Sequence, residues 1–280
     1  MNALKHKLRD LLIIERLGSG AMGDVYQCID QSTGKPVAVK WLHRSDMSKR
    51  FIEEARILAS IHHPGIAQFI KFEQHEKEAY LVMEYVEGLT LEKLIQHHGK
   101  LPESFALKIT LQIATALKYL HDQQIIHRDL KASNLKITKS GQVKLLDFGI
   151  AKAQFSEKLT AEGFVIGSTP YLAPEQFKQD YSHKIDLWAL GILLYQMLTG
   201  HLPFSAATEF ELRAKIQKGD YLPLEIFSPG LNKSTKKIIR KLLAVRPENR
   251  WSANELLQQM EGKSAGAFWN KWIEKLKTNR

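Results

Sequence analysis

The chain has one cysteine in 280 residues, Cys28, so it has nothing to pair with internally. That excludes a disulfide framework and points to a reducing compartment, with the cytosol as the expected home. A secretory leader is not expected either, because the opening MNALKHKLRDLLIIERLG has only LLII as its apolar core and no small-residue cleavage site. The longest apolar run, Leu187–Leu198, falls well short of the roughly 20 residues a spanning helix needs, so it is expected to form a buried core helix. Internal repeats, low-complexity tracts and long linkers are absent as well. Acid is in short supply, with 30 Asp and Glu against 40 Lys and Arg, giving a net charge of +10. Residues 1–10 hold +2 of this and residues 263–280 hold +4, which leaves +4 for the body. Read as a dispersed excess, that remainder is a solvated surface and no dedicated nucleic-acid site is expected.

Short strand patterns fill the first 85 residues: LLIIERLG, DVYQCID, PVAVKWL, IAQFIKF and AYLVMEY. One helix is expected among them, from about Asp46 to Ile61, with Phe51, Ala55, Leu58 and Ala59 at helical spacing. After Gly88 the texture changes to long helical segments, Leu91–His98, Glu103–His121, Ile185–Thr199, Glu209–Lys218 and Lys233–Leu243. A small β-rich lobe thus precedes a larger α-rich one.

Three groups of residues carry chemistry. Gly18, Gly20 and Gly23 lie in a loop between two strand patterns, a context that differs from the strand-to-helix turn of a dinucleotide fold. Glycine lets backbone approach closely, so such a hairpin can cover phosphates, although a plain hairpin satisfies the same pattern. Lys40 ends the apolar strand Val37–Lys40, and Glu54 sits within the expected helix, where the two form either a functional ion pair or an ordinary surface one. Finally, Ile126–Asn134 (IHRDLKASN) places Asp129, Lys131 and Asn134 at short spacing, and Asp147-Phe148-Gly149 follows beyond a short hairpin.

This ordered set resembles the protein kinase signature. The resemblance covers about residues 11–260, and with DFGIAK and YLAPEQ it is nearest to bacterial Hanks-type (eukaryotic-like) serine/threonine kinases. It implies an α+β bilobal fold, with a small antiparallel β lobe carrying one helix and a larger, mainly α lobe. The implied divisions are 1–84, a hinge at 85–89, 90–262 and a basic amphipathic tail at 263–280. It implies ATP as substrate and magnesium as cofactor, with manganese as an alternative, and serine or threonine side chains of proteins as acceptors.

The implied roles follow the motif positions. Gly18, Gly20 and Gly23 cover the phosphates, and Lys40, paired to Glu54, holds them. Leu17, Val25, Ala38, Met83 and Leu135 enclose the adenine, and the backbone from Glu84 to Val86 bonds its edge. Asp129 orients the acceptor hydroxyl, Lys131 neutralises the γ-phosphate, and Asn134 and Asp147 hold the metal. Met83 is equally at home as plain core. Farther along, Glu175 is expected to pair with Arg250, and Asp186 to open the buried helix that anchors the catalytic loop.

Regulation by phosphorylation is expected at Thr160, with Ser156 second, opposite the basic pair Arg128 and Lys152, although an unmodified solvent-facing threonine fits the same residues. In the tail, Phe268, Trp269, Trp272, Ile273 and Leu276 recur near one helical face with lysines beside them. That pattern suits packing on the larger lobe, an anionic membrane or a partner's groove. Two rivals to a protein kinase remain at this stage, a nucleotide-binding pseudokinase scaffold and a small-molecule phosphotransferase of similar fold. Retention of Lys40, Glu54, Asp129, Asn134 and Asp147 opposes the first, and the APE segment Ala173–Glu175 opposes the second.

Overall fold

A computed structural model describes residues 10–20, 23–42, 59–75, 78–146 and 169–261. Expectations for the helix from Asp46, for Glu54, Asp147, Lys152, Ser156 and Thr160, and for the tail therefore lie outside the described residues. The chain divides into two compact units, Met1–Glu87 and Gly88–Arg280.

In the first unit, β1 (Leu11–Gly20), β2 (Gly23–Asp30), β3 (Pro36–Leu42), β4 (Phe69–His75) and β5 (Glu78–Glu84) form one antiparallel sheet in the order β1-β2-β3-β5-β4. Alternation along β3 sorts its side chains by face. Val37 and Val39 join Leu11, Cys28, Tyr80 and Val82 in the core, while Ala38 and Lys40 take the other face. Burial pushes the Cys28 thiol up to about 11, so it behaves as a small buried apolar group. The fourth strand begins at Phe69 instead of Ile66, because the backbone at 64–66 is taken up by a turn in which Ile66 N–H donates to His63 O at 3.0 Å.

The second unit is built on helices α1 (Leu91–His98), α2 (Glu103–Asp122), α3 (Lys184–Thr199), α4 (Glu209–Lys218), α5 (Leu224–Phe227), α6 (Lys233–Leu242) and α7 (Ala253–Met260). A small sheet of β6 (Leu89–Thr90), β7 (Leu135–Ile137) and β8 (Val143–Leu145) completes it. α3 is apolar around nearly its whole circumference and packs against both α2 and α6. A helix of that composition has to be central. Its Trp188 stacks on Phe204 with ring centroids 5.6 Å apart, and Gly200 in the left-handed region ends it. Neither α5 nor α7 belongs to the helices expected from the sequence. α7 nonetheless carries a start signal, the Ser252/Glu255 capping box.

Candidate active site

In the first unit, strand register brings the expected nucleotide-facing residues together. Val25 pairs with Lys40, Lys40 with Leu81, and Ala38 with Met83, so Val25, Ala38, Lys40 and Met83 share the sheet face opposite the core. Lys40 is 7% exposed, a buried position for a cation. At the hairpin, Gly20 pairs with Gly23 and Gly18 with Val25, while Leu17 falls at the irregularity between Arg16 and Gly18 and is 40% exposed.

The glycines differ in what they require. A Cβ on Gly23 would meet the Trp41 carbonyl oxygen at 2.0 Å, so the sheet itself demands glycine there. A Cβ on Gly18 meets nothing within 4 Å, so the fold of this unit does not demand glycine at that position. At the end of β5, Glu84 N–H donates to Gln68 O at 2.7 Å and its Oε2 accepts from Gln68 N–H at 3.0 Å. Glu84 is thereby fixed, and Val86 beyond it is buried.

In the second unit, the segment before β7 forms a tight cluster around Asp129. Lys131 Nζ stands 3.2 Å from Asp129 Oδ2. Asn134, ending the 3-10 turn Ala132–Asn134, donates its Nδ2 to Asp129 O at 2.9 Å and to Oδ2 at 3.0 Å. Leu146 N–H reaches back to Asn134 O at 2.8 Å, which pins the chain at the residue before Asp147. Leu135 is fully buried. An ammonium and a carboxamide are thus each held within hydrogen-bond or ion-pair reach of one carboxylate.

The cluster is held from behind by Asp186, at the start of α3 and 1% exposed. Its Oδ2 accepts from His127 N–H at 2.9 Å and its Oδ1 from Arg128 N–H at 3.0 Å. Arg128 sits at φ +66°, a conformation costly for a side-chain-bearing residue, and the two bonds hold the backbone there. His121 Nε2 lies 2.9 Å from the same Oδ2. Sequence reasoning missed His121, which is 65 residues from its partner and has no motif around it. His183 stands beside it with ring centroids 5.4 Å apart, and burial, with the neighbouring His121, lowers the His183 pKa.

A second clamp holds the segment after residue 168. Arg250, fully buried, forms a two-pronged pair with Glu175, Nη1 to Oε1 at 2.6 Å and Nη2 to Oε2 at 3.0 Å, as expected. Its guanidinium also lies over the Trp188 ring at 4.9 Å, and Lys184 Nζ donates to Arg250 O. Tyr171 donates its hydroxyl to Gln196 Oε1 at 2.9 Å. Burial pushes its phenol up to about 12. Gln196 was not singled out from the sequence, where it is one polar residue in an apolar helix.

A model of the protein kinase domain matches residues 11–260. The serine/threonine-protein kinase PrkC of Bacillus subtilis is 35% identical over 262 residues, covering 91% of this chain and 40% of that protein. The serine/threonine-protein kinase pkn2 of Myxococcus xanthus is 36% identical over 262 residues, covering 87% and 31%. The chain therefore spans less than half the length of these curated relatives. A crystal structure of Rad53 residues 1–466 in complex with AMP-PNP superposes with a TM-score of 0.80 at 35% identity, covering 90% of this chain and 65% of that one.

Proposed function

Because the chain belongs to the protein kinase domain family, we propose that it transfers the γ-phosphoryl group of ATP to serine or threonine hydroxyls of proteins. The observation that carries this reading is the Asp129, Lys131 and Asn134 cluster, held by Asp186. Phosphoryl transfer through a loose transition state asks the protein for positioning and charge neutralisation more than for covalent chemistry. In this reading Asp129 accepts a hydrogen bond from the acceptor hydroxyl and takes its proton as the new P–O bond forms and the bond from the γ-phosphorus to the β,γ-bridging oxygen breaks, releasing ADP. Lys131 lies against the charge of the transferring group, and Lys40 with the Gly18–Gly23 hairpin takes the remaining phosphates. The AMP-PNP bound to Rad53 supports an adenine nucleotide as the donor. Leu17, Val25, Ala38, Met83 and Leu135, with the backbone from Glu84 to Val86, are assigned to its base.

Magnesium, or manganese in its place, fits the donor set. Both hydrogen bonds of Asn134 to Asp129 use Nδ2, so its Oδ1 is a hard oxygen ligand of the kind these ions take. Asn134 and Asp147 are assigned to the metal, which when bound neutralises phosphate charge. Arg128 and Lys152 are assigned as the basic receiver for phosphate on Thr160, or secondarily Ser156, and the cytosol as the compartment.

Incubation with γ-labelled ATP and a mixed protein acceptor, followed by phosphoamino-acid analysis, tests the assignment. Label in phosphoserine and phosphothreonine is expected. Label only in small molecules, or none, overturns it.

A further inference from the structure

The chain's basic excess is not dispersed over its body, as the composition had led us to expect. Helix α6 (Lys233–Leu242) carries Lys233, Lys236, Lys237, Arg240 and Lys241 and no acid, a charge of +5 in ten residues. The body between residues 11 and 262 totals +4, so everything in it except this helix sums to −1. The cations recur at i, i+3, i+4, i+7 and i+8, which places all five on one face. The opposite positions, Thr235, Ile238, Ile239 and Leu242, are buried against the unit. Packing explains that buried face and leaves the basic one unaccounted for.

Among the described residues, few acids answer it. Lys236 Nζ meets Glu225 Oε1 at 2.8 Å, and Lys241 is one of the charges that, after hydrogen bonds from Ser252, hold the Glu255 carboxyl below its ordinary range. Lys237 lies over the Trp251 ring at 5.6 Å and Arg240 stands near Tyr221, neither of which is a counter-charge at neutral pH.

We infer that this face is a docking surface for an anionic lipid bilayer. From Lys233 to Lys241 the row of charge runs about 12 Å along the helix axis, a flat array suited to headgroups. Four of the five cations are lysine, a hydrated point charge that answers a diffuse negative field, whereas paired recognition of individual phosphates favours arginine. The sequence that follows α7 (Ala253–Met260) has the matching composition. Residues 263–280 add +4 net, interleaved with Phe268, Trp269, Trp272, Ile273 and Leu276 at helical spacing, the pattern of an interfacial segment. Trp251 N–H, just before α7, donates to Lys241 O at 3.4 Å, so the start of α7 is tied to the end of the basic helix.

Sedimentation of the full chain with vesicles tests this, using phosphatidylcholine alone or mixed with phosphatidylglycerol. The protein is expected to partition onto the mixed vesicles only, with binding that weakens as salt rises. Near an anionic surface each cation alters partitioning by about fivefold. The triple substitution Lys233→Gln, Lys237→Gln and Arg240→Gln should therefore reduce binding at least tenfold, and Lys233→Glu with Arg240→Glu should do the same without disturbing the contact at Trp251. Both variants should keep the wild-type melting temperature. Unchanged partitioning of the folded variants overturns the inference, as does equal binding to neutral vesicles. So does stronger retention on duplex DNA or polyglutamate than on the mixed vesicles, which would mark the face as one for nucleic acid or an acidic protein.

Discussion

At the scale of single residues, the groups to which chemistry is assigned differ from the groups that hold them in place. Asp186 is of the second kind, since it touches no assigned substrate atom yet accepts from His121, His127 and Arg128. An asparagine there keeps one acceptor oxygen and adds a donor, so Asp186→Asn leaves at least one buried donor unmatched, at a cost of about 1–3 kcal/mol. We expect a fall in kcat of roughly tenfold or more with KM for ATP little changed, measured by steady-state phosphotransfer. A parallel rise in KM would point to a general loosening of the fold instead. Arg250 and Glu175 are a buried pair, and removing one partner leaves a charge uncompensated. Glu175→Gln should cost about 3–5 kcal/mol of stability in urea unfolding, whereas an exposed pair such as Lys118 and Asp122 should contribute within about 1 kcal/mol. The Arg250–Glu175 pair was readable from the sequence because each residue stands in a recognisable motif. The His121–Asp186 bond was not, because a contact across 65 residues is set by how α2 lies on α3 and leaves no local signature.

At the scale of elements, the β1–β2 hairpin shows how two glycines of one motif have different causes. Gly23 is demanded by the approach of Trp41 O, whereas Gly18 faces open space. Gly23→Ala should therefore destabilise the sheet and lower the melting temperature by several degrees, which scanning calorimetry reads. Gly18→Ala should melt like the wild type while KM for ATP rises, if the space above it belongs to phosphate. Helices with clear ends, α1 and α4, each opened by a threonine cap and closed by a glycine, were found at the residues expected. α7 was missed although its capping box was present, because Pro247 and a short eight-residue span obscured the periodicity. Likewise the basic face of α6 was hidden in a whole-chain charge count, which sums over the very geometry that gathers the lysines together.

At the scale of the molecule, titration and catalysis give independent handles. His183 has a folded-state pKa below its unfolded value, mainly from burial and the neighbouring His121. The unfolded chain then binds more protons in that window, so stability is full above the ordinary histidine range of about 6.5 and declines as pH falls through it. Melting temperature should drop on mild acidification, and His183→Gln should flatten that drop. An unaltered pH profile in the variant would assign the effect elsewhere.

Phosphotransfer is assigned to Asp129 and its neighbours. The most direct test of this assignment is magnesium-dependent transfer of labelled γ-phosphate by wild type, Asp129→Asn and Asp147→Asn. We predict efficient labelling by the wild type, a trace from Asp129→Asn, whose role is mainly positioning, and none from Asp147→Asn. Equal labelling by all three proteins would contradict the account.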